Sequence, residues 1–175
     1  MPPEETSIAQ SGPTRRGRAP QWTGVALLVV AMVASGIPTV RLGVVEALPA
    51  TALLAGIRMP GGLPRLGVPF GDDVAIAYWA VETVAAAIVL GTYWWCAQPR
   101  SDRSGRLRTA ARVWSATVLA VLAGCLTAAV SGSFVTGDRP LAYLLLVAGT
   151  ALFAVAWGAV AGLFTAVAAA LVPQG

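Results

Sequence analysis

Histidine, lysine and asparagine are absent from this 175-residue chain, and cysteine occurs only twice. Each absence removes chemistry. With no His and no Lys there is no imidazole general base, no histidine-bound metal and no Schiff-base amine, which closes most routes to an activated nucleophile. Cys96 and Cys125 stand far apart with no C-x-x-C spacing, so they read as packing residues or inert thiols. Charge is scarce as well: charged residues make up 11% of the chain against 57% hydrophobic, with a mean hydropathy of +0.72. A soluble domain of this length needs more polar surface, so lipid must solvate much of the molecule.

All twelve basic residues are therefore Arg. Their use in place of Lys, beside abundant Ala, Gly, Val and Pro, is the bias of a GC-rich coding sequence, which points to a bacterial membrane protein. The net charge of +4 does not imply a nucleic-acid partner, because the arginines flank apolar runs and lack interleaved aromatics.

Four apolar runs are long enough to cross a bilayer: residues 22–40, 74–95, 113–133 and 141–172. The fold class expected is an all-α integral membrane protein of four transmembrane helices, a single membrane domain over residues 22–172. Residues 1–21, rich in Pro, Ser, Thr, Gly and Arg, have too little apolar surface to repay ordering and read as a disordered cytoplasmic tail. Residues 42–57 are apolar but hold Glu46 and Pro49 and fall short of the roughly 20 residues a span needs. They read as an interfacial or re-entrant helix on the outer face, followed by the Gly/Pro-rich loop MPGGLPRLGVPFGDD, also placed outside.

Orientation follows from arginine. Arg100, Arg103, Arg106, Arg108 and Arg112 crowd the segment between the second and third spans, and Arg15, Arg16 and Arg18 precede the first, eight in all. Arg41, Arg58, Arg65 and Arg139 are the four on the opposite side. The positive-inside rule then puts both termini in the cytoplasm and the protein in the bacterial cytoplasmic membrane. The five-arginine segment has two readings, plain topology control and a dock for anionic headgroups or an acidic partner.

Two features carry the functional argument. Glu82 is the one acidic residue deep inside a span, about nine residues or 13 Å from its outer end, where exposing a carboxylate to lipid costs about 2.5 to 3.5 kcal/mol. It should face other helices, sharing its own helix face with Tyr78 and Tyr93, and no arginine is expected at its depth. It is the candidate proton or cation site of a carrier; the structural alternative is a carboxyl hydrogen-bonded to a backbone carbonyl or to a hydroxyl such as Thr127 or Thr150. The second feature is a pair of small-residue ladders at four-residue intervals: Ala116, Ala120, Gly124, Ala128 and Gly132, then Ala154, Gly158, Gly162, Ala166 and Ala170. In lipid, helix association rests on close van der Waals approach, which makes Gly124, Gly132, Gly158 and Gly162 the candidate packing positions.

No cofactor fingerprint and no metal-ligand spacing occurs, so neither is expected; Asp72, Asp73 and Asp138 on the outer loops read as solvated charges and caps rather than as an enzyme's acids. The function expected is non-enzymatic: an accessory, scaffolding or regulatory subunit embedded in the bilayer, packing as a homo- or hetero-oligomer with other membrane helices. The alternative is a small transporter or channel subunit that uses Glu82.

Overall fold

The computed structural model describes residues 19–37, 39–40, 63–66, 73–98, 105–136 and 140–171. The tail up to residue 18 and the segment 42–57 lie outside the described residues, as do Asp72, Asp138 and Arg139. Among the described residues the chain is all helical, with α1 over Ala19–Gly36, α2 over Asp73–Cys96, α3 over Arg106–Thr136 and α4 over Pro140–Leu171. The last three are long and apolar enough to cross a membrane; the apolar part of α1, Gln21–Gly36, is shorter.

Local chemistry explains the boundaries. Pro20 and Pro140 sit in the first turns of α1 and α4, where a missing N–H costs nothing. The first helix breaks at Gly36, short of the expected Val40 and ahead of Pro38, which cannot donate to the ladder, and Thr39 and Val40 are helical again; Ile37 N closes the break on the carbonyl of Ala34 at 3.0 Å. The third starts seven residues before the expected Val113, since Arg, Leu, Thr and Ala propagate a helix that hydropathy alone does not register. Arg106, Arg108 and Arg112 are thereby helical residues, not loop residues. Gly105 opens that helix, its carbonyl accepting from Arg108 N and Thr109 N.

Successive helices run antiparallel. Trp22 near the start of α1 meets Trp94 near the end of α2, ring centroids 5.1 Å apart and edge to face. Gly124 of α3 lies against Ala85 and Val89 of α2. Trp114 near the start of α3 donates its indole N–H to the carbonyl of Ala159 in α4 at 3.1 Å. The most extensive packing is α3 on α4 and then α2 on α3; α1 closes the ring with smaller contacts to α4 and α2. The start of α1, the end of α2, the start of α3 and the end of α4 therefore share one end of the bundle.

Leu28, Met32, Val89, Tyr93 and Val121 fill the middle of the bundle, but along α4 the inward side chains are small and the outward ones large. In α4 the buried positions are Thr150, Ala154, Gly158, Gly162, Thr165, Ala166 and Ala169, whereas Leu144, Leu152, Leu163 and Phe164 point outward. That inversion suits a lipid solvent, where burying a leucine gains little and backbone proximity gains dispersion contact. A Cβ added to Gly158 would stand 3.1 Å from Val118 Cα, and one on Gly162 would stand 3.0 Å from the carbonyl oxygen of Trp114. Near the same level the Thr117 and Thr165 hydroxyls meet at 2.9 Å, joining the buried faces of the two helices.

The ladders drift, because four residues rotate about 40° beyond one turn. In α3 the buried face passes from Ala116, Ala120 and Gly124 to Cys125, Ala129 and Ser133, so Ala128 and Gly132 are only half-buried; in α4 Ala169 replaces Ala170 as the buried residue. A Cβ on Gly132 would meet nothing within 4 Å. Gly124, Gly158 and Gly162 thus sit at close approaches within the chain, and Gly132 does not.

Glycine-to-alanine exchange should separate these positions. Gly162→Ala is expected to lower the unfolding temperature in detergent, by overpacking worth about 1–3 kcal/mol. Gly132→Ala should leave it unchanged or raise it, since alanine is favoured in a helix by up to about 1 kcal/mol. A shared fall at both positions would dissociate helix contact from glycine at these sites.

Candidate functional site

Glu82 lies in α2, and the group it meets comes from a stretch of chain that is not helical. Residues 63–66 enter the bundle without regular structure, Leu63 and Pro64 buried, Arg65 and Leu66 half-buried. The backbone N–H of Arg65 donates to Glu82 Oε2 at 2.8 Å. The N–H of Leu66 reaches the carbonyl of Met32 in α1 through a longer contact of 3.4 Å. Pro64 stands against Gly124 of α3, close enough that a Cβ there would be 3.4 Å from its Cγ. One four-residue stretch thus touches α1, α2 and α3.

Helix lengths explain why there is room for it. Gly24 of α1 packs directly on the Tyr93 ring of α2, which sets the two helices in register. Twelve residues on, α1 ends at Gly36, level with Val81, while α2 continues for about eight more residues, some 12 Å, to Asp73. The end of α1 is therefore recessed among its longer neighbours. Leu66 lies beside that recessed end, its carbonyl oxygen 2.7 Å from where a Gly36 Cβ would be.

Irregular backbone at such depth is tolerated only where protein groups satisfy its polar atoms, because an unpaired N–H in an apolar setting costs about 1–3 kcal/mol. Glu82 and Met32 supply those acceptors for two consecutive N–H groups. The carboxylate is thereby placed by the chain itself, at the depth at which it would otherwise be a liability on a helix surface.

Several expectations about this site change. The loop expected outside contributes Arg65 at the level of Glu82, through its backbone N–H. Neither expected hydroxyl bonds the carboxyl: Thr127 donates to the carbonyl of Ala123 at 2.8 Å, and the buried Thr150 Oγ1 has no hydrogen-bond partner among the described residues. Tyr78 and Tyr93 do not look inward together. Tyr93 is fully buried under Gly24, whereas Tyr78 is 43% exposed, because it lies on the part of α2 beyond the recessed end of α1. Tyr93 is therefore packed inside the bundle, and the exposed tryptophans at this end are Trp22, Trp95 and Trp114. Cys96 and Cys125 lie on different helices and form no disulfide, Cys125 being buried in the core.

Sequence reading passed over Gly24, Met32 and the Thr117–Thr165 pair. Gly24 had a signal, an isolated glycine in a span otherwise built of larger residues. Met32 acts through its carbonyl, for which a sequence holds no signal.

Two substitutions at Glu82 test the clasp. Gln retains a carbonyl oxygen for the Arg65 N–H and should keep the unfolding temperature near wild type, whereas Leu strands that N–H and should destabilise by about 1–3 kcal/mol. Thermal unfolding in mild detergent reads both, and equal values for Gln and Leu would remove the hydrogen bond from the account.

Comparison with models of known protein families, with curated proteins and with solved structures finds no match to this chain.

Proposed function

We propose that the chain is a four-span, non-enzymatic subunit of a bacterial cytoplasmic membrane, an accessory, scaffolding or regulatory component that assembles with itself or with a larger membrane protein. The observation that carries this reading is the use of Glu82. The only acidic side chain deep in the spans holds a buried turn of the chain's own backbone through the Arg65 N–H. A carboxyl so engaged has a structural task, and the sequence offers no His or Lys from which chemistry could be built around it.

In this reading α1 is the fourth membrane-crossing helix. Its 18 residues reach about 27 Å, near the roughly 30 Å of a hydrocarbon core, and it lies in the ring between α2 and α4. The shared end formed by the starts of α1 and α3 faces the cytoplasm, on the strength of eight arginines against four. Residues 42–57 lie toward the outer face, as an interfacial or re-entrant segment leading into the buried stretch. Because the small-residue faces are consumed inside the chain, a partner would meet the outward aliphatic surface, above all Leu144, Leu152, Leu163 and Phe164 of α4.

One observation favours the alternative of a small transporter or channel subunit. An unwound stretch that meets a helix end and a carboxyl between helices is the arrangement from which ion sites of discontinuous helices are built. The Glu82→Gln protein separates the readings. It should assemble like wild type if the role is structural and should lose all proton- or cation-coupled flux in proteoliposomes if the carboxyl is the ion site.

Reporter fusions check the topology. Alkaline phosphatase joined after Gly67 or Gly137 is expected to be active and after Ser104 inactive; activity at Ser104 would invert the layout. Recovery of a stoichiometric companion, or of a defined homo-oligomer, from mild detergent is the outcome the subunit reading requires, and a strictly monomeric, unaccompanied protein would contradict it.

A further inference from the structure

The arginines that lie on α3 are arranged in a way that topology control does not require. Arg108, Arg112, Ser115, Leu119, Leu122 and Leu126 follow one another at intervals of 4, 3, 4, 3 and 4 residues, which keeps them on one helix face. Each is exposed or half-buried, with Leu119 half exposed and Leu122 resting one edge on the core, so the strip lies opposite the buried Ala116, Ala120 and Gly124 and turns toward the membrane. It changes from cationic to aliphatic at Ser115, whose hydroxyl folds back on the carbonyl of Arg112 at 3.0 Å.

The change falls at the level where the bilayer should change too. Gly124 aligns with Ala85 and Val89, which places Ser115 level with Cys96 at the end of α2 and Arg112 just beyond it. The exposed Trp22, Trp95 and Trp114 gather at the same end, independently marking the boundary between headgroups and hydrocarbon. Arg112 and Arg108 stand about 4.5 and about 10.5 Å beyond Ser115, across the depth of the headgroups.

The charges on this strip lack compensation within their own helix. Arg108 and Arg112 are a like-charge pair four residues apart, an arrangement that destabilises an isolated helix. They lie in the first two turns, where the helix dipole is already positive, and the 31 residues of α3 contain neither Asp nor Glu. An anion set against these side chains relieves both costs at once. Since the same strip continues as leucines for the length of an acyl chain, the anion it fits is attached to a hydrocarbon tail.

We infer that this face of α3 is a binding site for a single anionic phospholipid, its phosphate held by Arg108 and Arg112 and one acyl chain lying along Leu119, Leu122 and Leu126. The guanidinium forks match phosphate oxygens in pairs, and the aliphatic stems of the arginines cover the glycerol region. Arg106, two residues before Arg108, points off the strip and takes no part. The site requires only that the chain sit in a bilayer; it is independent of whether the protein is an accessory subunit or a carrier.

Native mass spectrometry of the full-length protein in mild detergent, with phosphatidylglycerol and phosphatidylcholine added in equal amounts, tests this. One phosphatidylglycerol should be retained in preference to phosphatidylcholine. Arg108→Gln and Arg112→Gln should each weaken that retention about fivefold, in keeping with the loss of one cation at a membrane surface. Arg106→Gln, which removes the same charge, should leave it unchanged. Leu119→Ser should weaken lipid retention while leaving the arginines in place, and soluble glycerol phosphate should not displace the lipid. Equal retention of the two lipids by the wild-type protein would overturn the proposal outright. An equal loss from Arg106→Gln would reduce the effect to net charge, and displacement by glycerol phosphate would make it a site for free phosphate; either result overturns the lipid site. An acidic soluble protein that binds this face and is not competed by phosphatidylglycerol would overturn it as well. None of these outcomes bears on the recovery of a membrane companion, so the two ideas fail separately.

Discussion

The hydrogen bond from the Arg65 backbone to Glu82 is the constraint on which the outer half of the bundle depends. A helix of 18 residues beside helices of 24, 31 and 32 leaves a recess at its end. Something must fill it, because an empty apolar hollow forfeits dispersion contacts on every wall. The chain fills it with four residues of its own irregular backbone, and that choice creates a need for acceptors in a place with little water to supply them. Glu82 meets the need from α2 and Met32 from α1. A short helix, a non-helical insertion and an intramembrane carboxyl are thus parts of one arrangement.

The opposite half is organised by a different force. Between α3 and α4 the contact is made at Gly158, Gly162 and the Thr117–Thr165 pair, with Val118, Val121 and Trp114 of α3 set directly against the two glycines. Close backbone approach replaces the hydrophobic effect, which has little to offer between two surfaces already in oil. The outward leucines and phenylalanines are in their preferred solvent and are not a sign of a missing core.

Much of this fold was legible in the amino-acid sequence, and what was hidden has physical causes. Long apolar runs identify α2, α3 and α4 because spanning a bilayer imposes a length and a composition on each helix separately. Gly158 and Gly162 were legible for the same reason, since glycine is disfavoured in a helix unless a neighbour needs the space. The position of Glu82 within its span was legible, but its partner was not: the donor is a backbone N–H in a Gly/Pro-rich segment, and every non-proline residue carries one. Nor could the inward path of residues 63–66 be read, because it depends on α1 stopping at Gly36 while α2 continues, a relation between two helices. By Gly132 the four-residue ladder has rotated off the contact face within the chain, so membership at one end does not carry to the other.

The way residues 63–66 are held also sets an order of events in the bilayer. The α3–α4 pair is separated by three residues of sequence and makes the most extensive contact in the molecule, so it can close as a hairpin on its own. The buried stretch cannot, since its neighbours Met32, Glu82 and Gly124 belong to three different helices. It has nowhere to dock until α1, α2 and α3 are all inserted and side by side. Seating of that turn consequently follows the meeting of α1, α2 and α3, and a chain in which it has seated is one whose first three helices have already found one another.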